Sequence, residues 1–500
     1  MQPRQQWCHR CRPAGRCGHD GPVTQDGLPV GWSIELDSGA RRTDHGQVLI
    51  GGSPLRVLRL TRAGAHWLDA MVAGRRMPDS APSRNLASRL VDCGLANPRP
   101  VADGRLTRQD VAVVIPVRDA TAGLIRTLDT VSGLADDVVV VDDGSADADA
   151  VRRAAFGTTL LRNDAPQGPA AARQAGWQAT NRPIILFLDT DISAEPGWLA
   201  PLLAHLADPT VGAVAPRVRC RPDAGPRWLK AYEAARSPLD LGERAAPVRP
   251  GTRVPYVPSA TLAVRREALE SVGGFDTSLH TGEDVDLTWR LDARGWRVRY
   301  EPASVVSHPN RPTLRSWIRQ RVTYGTSAAA LARRHGDKVA PLRVSGWSAA
   351  AWSAVLVGQP LLGISIGVST TAALTPKLRG LEHPVAEALR IAGLGHLWAG
   401  TAVAEALRRP WWPLSAVVAV TCPRARPALL AAVTVPPLLE WRSRRPGLDP
   451  LRFLLLRLLD DLAYGTGVAM GCLETRSVRA LLPSFSGPIP PPTPIDVVAS

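Results

Sequence analysis

The sequence predicts an α/β protein: a helix-covered parallel sheet in the middle, a small separate unit before it and an apolar, mainly helical region after it. Three observations carry this reading. From Asp110 onward, the buried-strand runs VAVVIPV, DVVVV and PIILFL alternate with helical stretches. Residues 28–100 carry strand and helix signals of their own. Residues 344–376 contain no charged side chain.

A chain of 500 residues is too long for one ordinary domain, and 45% apolar content supports a real core. The net charge is +15, nearly all of it from arginine. That balance suits phosphate or an anionic membrane surface, and equally reflects a GC-rich coding bias. No Lys/Arg-dense tract or aromatic platform points to nucleic acid. Seven cysteines, an odd number, argue against a disulfide scaffold. The first residues lack the continuous apolar core of a signal peptide, so the expected location is the cytoplasm or the cytoplasmic face of the cell membrane.

Residues 1–27 read as a disordered leader. Cys8, Cys11, Cys17 and His19 are zinc-type ligands there, but their spacing matches no known knuckle. In residues 28–100, SIELD and GQVLIGG look like short strands. PLRVLRLTRAGAHWLDAMVAG then has helical spacing with Thr61 as a cap, and LASRLVDCGLANPRP gives a helix closed by Gly94 and prolines. Two helices with a hairpin suggest a winged-helix-like unit that recognises a peptide or docks a partner. Residues 110–340 form the α/β core. Its first strand runs into PVRDA without a G-x-G-x-x-G turn, which argues against a dinucleotide fold. Residues 341–480 hold further apolar segments punctuated by arginines, as interfacial anchors would be, and suggest membrane association. Arg457, Asp460 and Asp461 interrupt the last segment, which fits an amphipathic helix better than a span. Residues 481–500 form a proline-rich tail.

The chemistry sits where the strands end. In VVVVDDGS, a buried run stops at Asp142 and Asp143, because unpaired carboxylates are expensive to bury. In PIILFLDTDIS, Asp189 and Asp191 stand two apart on extended chain and point the same way. Two carboxylates aimed together at a sheet edge suit a hard divalent cation, Mg²⁺ or Mn²⁺. TGEDVDLTWRL adds Glu283, Asp284 and Asp286 at the start of a helix, where negative charge is favoured.

VIPVRDA, VVVVDDGSAD, GPAAARQAG, FLDTDIS, SATLAVRREALESVGGFDTSLHTGEDVDLTWRLDARGW and SHP, in that order, resemble the signatures of inverting family 2 glycosyltransferases with a GT-A fold. The likeness spans roughly residues 111–323. It implies a nucleoside-diphosphate sugar donor and a divalent metal. By this resemblance Asp143, with Asp142 beside it, accepts from the base, while Pro116, Val117 and Asp119 line base and ribose. The stretch Gly168–Gly176 lets backbone approach the nucleotide, and Arg173 bonds base or ribose. Asp191 is the direct metal ligand, Asp189 serves ribose or metal, and His308 is a third ligand. Asp284 is the catalytic base and Glu283 orients the acceptor. Trp289 and Trp296 are candidates for stacking on sugar or for the core. Gln320, Arg321 and Tyr324 have the wrong spacing for the Q-x-x-R-W strip of processive synthases, so addition of one or a few sugars is expected.

The order of the parts also resembles the glycosyltransferases of mycofactocin biosynthesis, whose first domain is like the PQQ-chaperone winged-helix group. GLPVGWSIELDSG and GGSPLRVLRLTRAG carry that likeness. It implies UDP-glucose as donor, a peptide-derived redox cofactor as acceptor and a short β-linked oligosaccharide as product. Two alternatives stand beside it: transfer to a polyprenyl phosphate or lipid, and a non-catalytic nucleotide-binding scaffold.

Overall fold

The computed structural model describes residues 27–101, 104–486 and 493–494; the Cys8, Cys11, Cys17 and His19 cluster lies outside them. The first unit comprises β1 (Ser33–Leu36), β2 (Arg41–Thr43), β3 (Val48–Gly51), β4 (Arg56–Arg59), α1 (Arg62–Val72), α2 (Ala81–Asp92) and β5 (Ala96–Arg99). Strands β2, β3 and β4 form an antiparallel meander, and β1 pairs antiparallel with β5. Leu49, Leu58, Leu68, Leu86 and Leu90 pack into one core. Thr61 caps α1 by accepting from the Gly64 amide at 3.1 Å. The RVLR run before that cap is therefore strand, not the start of the helix, and ANPR is strand rather than a terminating loop.

The central unit comprises β6 (Val111–Val117), α3 (Thr121–Val131), β7 (Asp137–Asp143), α4 (Ala148–Ala154), β8 (Thr159–Asn163), α5 (Pro169–Gln178), β9 (Ile184–Leu188) and β10 (Ser193–Ala194). It continues with α6 (Ala200–Leu206), β11 (Val211–Arg221), α7 (Arg227–Arg236), β12 (Ala246–Pro247), β13 (Thr261–Arg265), α8 (Arg266–Val272), α9 (Glu283–Ala293), β14 (Arg297–Pro309) and α10 (Leu314–His335). The sheet order is β10-β14-β11-β13-β9-β6-β7-β8, with β12 on β14. Successive residues of β6 alternate between two cores: Ala112 and Val114 on one face, Val111, Val113 and Ile115 on the other. Both faces are covered, which is why these strands are continuous apolar runs. The sheet is mixed rather than wholly parallel. The strand–helix alternation stops at β9, and β13 pairs antiparallel with both β9 and β11.

The last unit comprises β15 (Arg343–Ser345), α11 (Gly346–Leu356), α12 (Pro360–Leu374), α13 (Pro384–Arg408), α14 (Trp412–Thr421), α15 (Arg426–Arg444), α16 (Pro450–Glu474), β16 (Ser484–Ser486) and β17 (Thr493–Pro494). β17 extends the first unit's sheet by pairing with β4. Helix α16 lies against α10 at glycine contact distance: a Cβ on Gly325, Gly467 or Gly471 would collide with a carbonyl oxygen of the facing helix. The three interrupting charges of α16, Arg457, Asp460 and Asp461, turn inward rather than to solvent. Arg457 pairs with Asp461 and with Glu440 (3.1 Å), Asp461 with Arg408 (3.1 Å), and Asp460 accepts from Arg321 Nε (3.0 Å) and the Tyr232 hydroxyl (2.9 Å). The first unit is clamped behind the sheet. Arg297 of β14 holds the Asp92 carboxylate at 2.9 and 3.0 Å, and Arg41 reaches Glu387 of α13 at 2.9 and 3.1 Å.

Candidate active site

The loop carrying Asp189 and Asp191 follows directly from β9. Helix α3 holds it: the Thr127 hydroxyl bonds the carbonyls of Asp189 (3.3 Å) and Ile192 (3.2 Å). Gly123 on the same helix permits this approach, since a Cβ there would strike the Thr190 carbonyl. Asp191 Oδ1 is buried, has no hydrogen-bond partner, and lies 3.3 Å from His308 Nε2. His308 Nδ1 bonds the Pro309 carbonyl at 2.7 Å, which requires a proton on Nδ1; in the neutral ring this leaves a lone pair on Nε2. An unpartnered carboxylate oxygen facing an imidazole lone pair is a donor set that fits a divalent cation. Burial and the neighbouring Asp189 raise the Asp191 pKa, with His308 and Arg311 opposing.

The expected ligand trio of Asp189, Asp191 and His308 does not form. Asp189 Oδ1 instead accepts from Arg173 Nη2 at 2.7 Å. Among the described residues, no three His, Cys, Asp or Glu side chains converge closely enough to hold a metal on their own.

Arg173, placed by α5, is 3% exposed. Its other terminal nitrogen donates to Glu283 Oε1 at 2.8 Å. With both terminal nitrogens on carboxylates, the guanidinium ties the β9 acids to the α9 acids, and its Nε is buried without a hydrogen-bond partner. Glu283 and Asp284 open α9 behind Gly282, whose φ of 83° turns the chain into the helix. The Asp284 carboxyl is pushed up to about 7, first by burial and then by the negative Glu283 beside it. Asp286 is fully buried, accepting from Arg290 Nε at 2.7 Å and facing His335 Nε2 at 2.9 Å; it anchors α9 to α10.

These acids share a cleft of about 870 Å³. Pro116, Val117, Asp143, Gly168, Arg173, Asp189, Asp191, Glu283, Asp284 and His308 all line it. Asp143 accepts from Asn163 Nδ2 (2.9 Å) and the amides of Gln167 and Gly168 (both 2.8 Å), which shapes the loop before α5. Asp142 and Asp119 do not line the cleft. Period-two alternation turns Asp142 away, where it accepts from the Ser145 amide at 2.9 Å and pairs with Arg162. Asp119 accepts from the Ala146 amide at 2.8 Å and fastens the same turn. Trp289 lines the cleft while its indole N–H donates to the Pro255 carbonyl; Trp296 packs over Gly212 outside it.

Sequence reasoning missed part of the wall. Arg311 stands beside Asp191, two residues past the SHP motif that marked His308. Tyr256, Arg409 and Tyr464 also line the cleft, and no motif flagged them. Among the described residues, none of 27–101 lines it. The first unit is therefore no part of the cleft wall.

The profile of glycosyl transferase family 2 matches residues 112–273. The pre-mycofactocin glycosyltransferase of Mycobacterium tuberculosis is 41% identical over 477 residues, covering 93% of this chain and 100% of its own. Polypeptide N-acetylgalactosaminyltransferase 4 of Caenorhabditis elegans is 27% identical over 265 residues, 48% of this chain and 43% of its own. The solved mannosyltransferase of Pyrobaculum calidifontis, in complex with GDP-Man and Mn²⁺, is 22% identical with a TM-score of 0.36, covering 67% of this chain and 87% of that one. With near-complete overlap at 41% identity, the chain belongs to the pre-mycofactocin glycosyltransferases, within glycosyl transferase family 2.

Proposed function

We propose that this glycosyltransferase moves glucose, with inversion, from UDP-glucose to pre-mycofactocin, a peptide-derived redox cofactor precursor, and extends it into a short β-linked oligosaccharide. One observation carries the reading: Arg173 joins Asp189 to Glu283, so the donor-side and acceptor-side acids share one cleft. Asp191 and His308 would hold a Mg²⁺ or Mn²⁺ ion, which would offset the negative charge growing on the departing diphosphate. Arg311 adds a fixed cation beside that position. Asp284 takes the proton from the attacking hydroxyl. Its raised pKa matches this task, because a base that titrates near neutrality both ionises and accepts a proton readily. Glu283, fixed by Arg173, orients the acceptor. The test is mass spectrometry of pre-mycofactocin incubated with enzyme, UDP-glucose and Mn²⁺ or Mg²⁺. Successive additions of one hexose unit, with β-anomers by NMR, are expected. No mass gain, or α-linked product, would overturn the reading.

A second reading concerns location. Leu361, Ile364, Leu414, Val417 and Val420 on α12 and α14 are exposed, Leu361 to 78%. We infer that these helices lie in the cytoplasmic membrane interface. One helical stretch, Pro360–Leu378, has the length and mean hydropathy (1.2) of a span. Its α-helical part has 15 residues, roughly 22 Å, against a hydrocarbon core of about 30 Å. α14 and α15 meet at a bend of 119°, which suits helices lying flat. Flotation with phosphatidylglycerol vesicles should carry the protein upward; recovery wholly in the soluble fraction would sink this reading.

A further inference from the structure

Tyrosine is scarce in this chain, with five among 500 residues. Two are used for packing: the Tyr232 hydroxyl donates to Asp460 and the Tyr300 hydroxyl to the Gly242 carbonyl. The other three, Tyr256, Tyr324 and Tyr464, line the cleft that holds Asp284. They come from three separate places: the loop before β13, helix α10 and helix α16. Arg409, just past α13, lays its guanidinium over the Tyr464 ring, 3.7 Å from the centroid. Its Nε is buried without a hydrogen-bond partner.

Two other polar side chains of this wall, Asp460 and Gln320, are already engaged. Asp460 is taken by Arg321 and Tyr232, and Gln320 donates to the Tyr324 hydroxyl at 3.0 Å. Ala328, Leu331 and Val339 fill the space between. A flat ring finds here three aromatic side chains and, beside Tyr464, the Arg409 guanidinium.

We propose that Tyr256, Tyr324, Tyr464 and Arg409 form the acceptor subsite, which takes a planar conjugated ring and bonds an oxygen on that ring through Arg409. This rests on the transferase reading above and assigns part of the acceptor's recognition, Arg409 and Tyr464, to the C-terminal helices. Burial holds the Tyr324 phenol up at about 12, so it stays neutral and able to donate.

The test uses the full-length enzyme, UDP-glucose, and two surrogate acceptors, p-nitrophenyl β-glucoside and cyclohexyl β-glucoside. The aryl glycoside should have the lower KM, by about five- to tenfold, as expected for loss of ring stacking. Tyr464→Leu should erase that preference by raising the aryl KM alone, with the KM for UDP-glucose where it was. Tyr464→Phe, which keeps the ring, should restore the preference. Equal KM values for the two glycosides in the wild type, or a preference that survives Tyr464→Leu, would overturn the subsite. Hydrolysis of UDP-glucose by the wild type without acceptor keeps the two readings apart. Donor turnover with no ring preference sinks the subsite alone, whereas no donor turnover sinks the donor assignment beneath it.

Discussion

The central sheet and the C-terminal helices place charge in opposite ways. In the sheet, Val113, Val140 and Leu186 are fully buried, and the acids stand where the strands run out. In the helices, Arg408, Arg457, Asp460 and Asp461 are buried, while Leu361 and Val420 are 78% and 76% exposed. The same composition therefore serves two surroundings. At the sheet's rim, one carboxylate oxygen, Asp191 Oδ1, is left without a hydrogen-bond partner in the cleft. Charge between the helices is spent on other charge, and the apolar side chains face outward, as they would toward lipid.

The contrast breaks most visibly at its rim. Asp284→Asn should lower kcat roughly a hundred- to ten-thousand-fold, the usual worth of a positioned general base, and leave the KM for UDP-glucose nearly unchanged. Steady-state kinetics with both substrates checks this. In the wild type, kcat/KM should rise from pH 6 to 8 with an apparent pKa near 7, since the base works only when ionised. The same carboxylate should cost stability. An unfolded aspartate ionises near pH 4, whereas the folded one holds its proton to about pH 7. The penalty is absent at low pH, grows between those values and is complete above the folded pKa. Asp284→Asn should therefore raise the Tm at pH 8 and leave it unchanged at pH 3; an equal shift at both would contradict the burial argument.

Inside the helices the effect should move from activity to stability. Asp461→Ala leaves Arg408 and Arg457 without their buried partner and should cost about 3–5 kcal/mol in urea unfolding. The smallest change is expected outside. Leu361→Gln with Val420→Gln should alter stability by less than about 0.5 kcal/mol, as exposed substitutions do, yet reduce flotation with phosphatidylglycerol vesicles. A large loss of stability from that pair would mean that these side chains face protein.

Some of this was legible in the sequence and some was not, for definite reasons. The acidic strand ends were legible because valine and isoleucine runs stop abruptly at Asp142 and Asp189. That Asp143 and not Asp142 reaches the cleft depends on strand register, which the sequence does not print. The bridge by Arg173 was hidden because it joins residues 16 and 110 positions away through the rotation of α5. Charges in α16 were visible as interruptions of a greasy helix. Their inward direction depends on Arg321, Arg408 and Glu440, which lie on three other helices. Of the tyrosine wall only Tyr324 stood near a recognisable motif, since its members are scattered from residue 256 to 464 and meet only in the fold.

The glycine seam between α10 and α16 has a bearing on how the enzyme can be dissected. Gly467 lies one turn beyond Tyr464, and its partner helix is bolted through His335 to Asp286, two residues from Asp284. A shortened chain ending before residue 450 is thus not a soluble catalyst stripped of its anchor. It is an enzyme missing Asp460 and Tyr464 from its cleft wall and the helix on which α10 packs, and any reconstitution must supply the last helix along with the transferase.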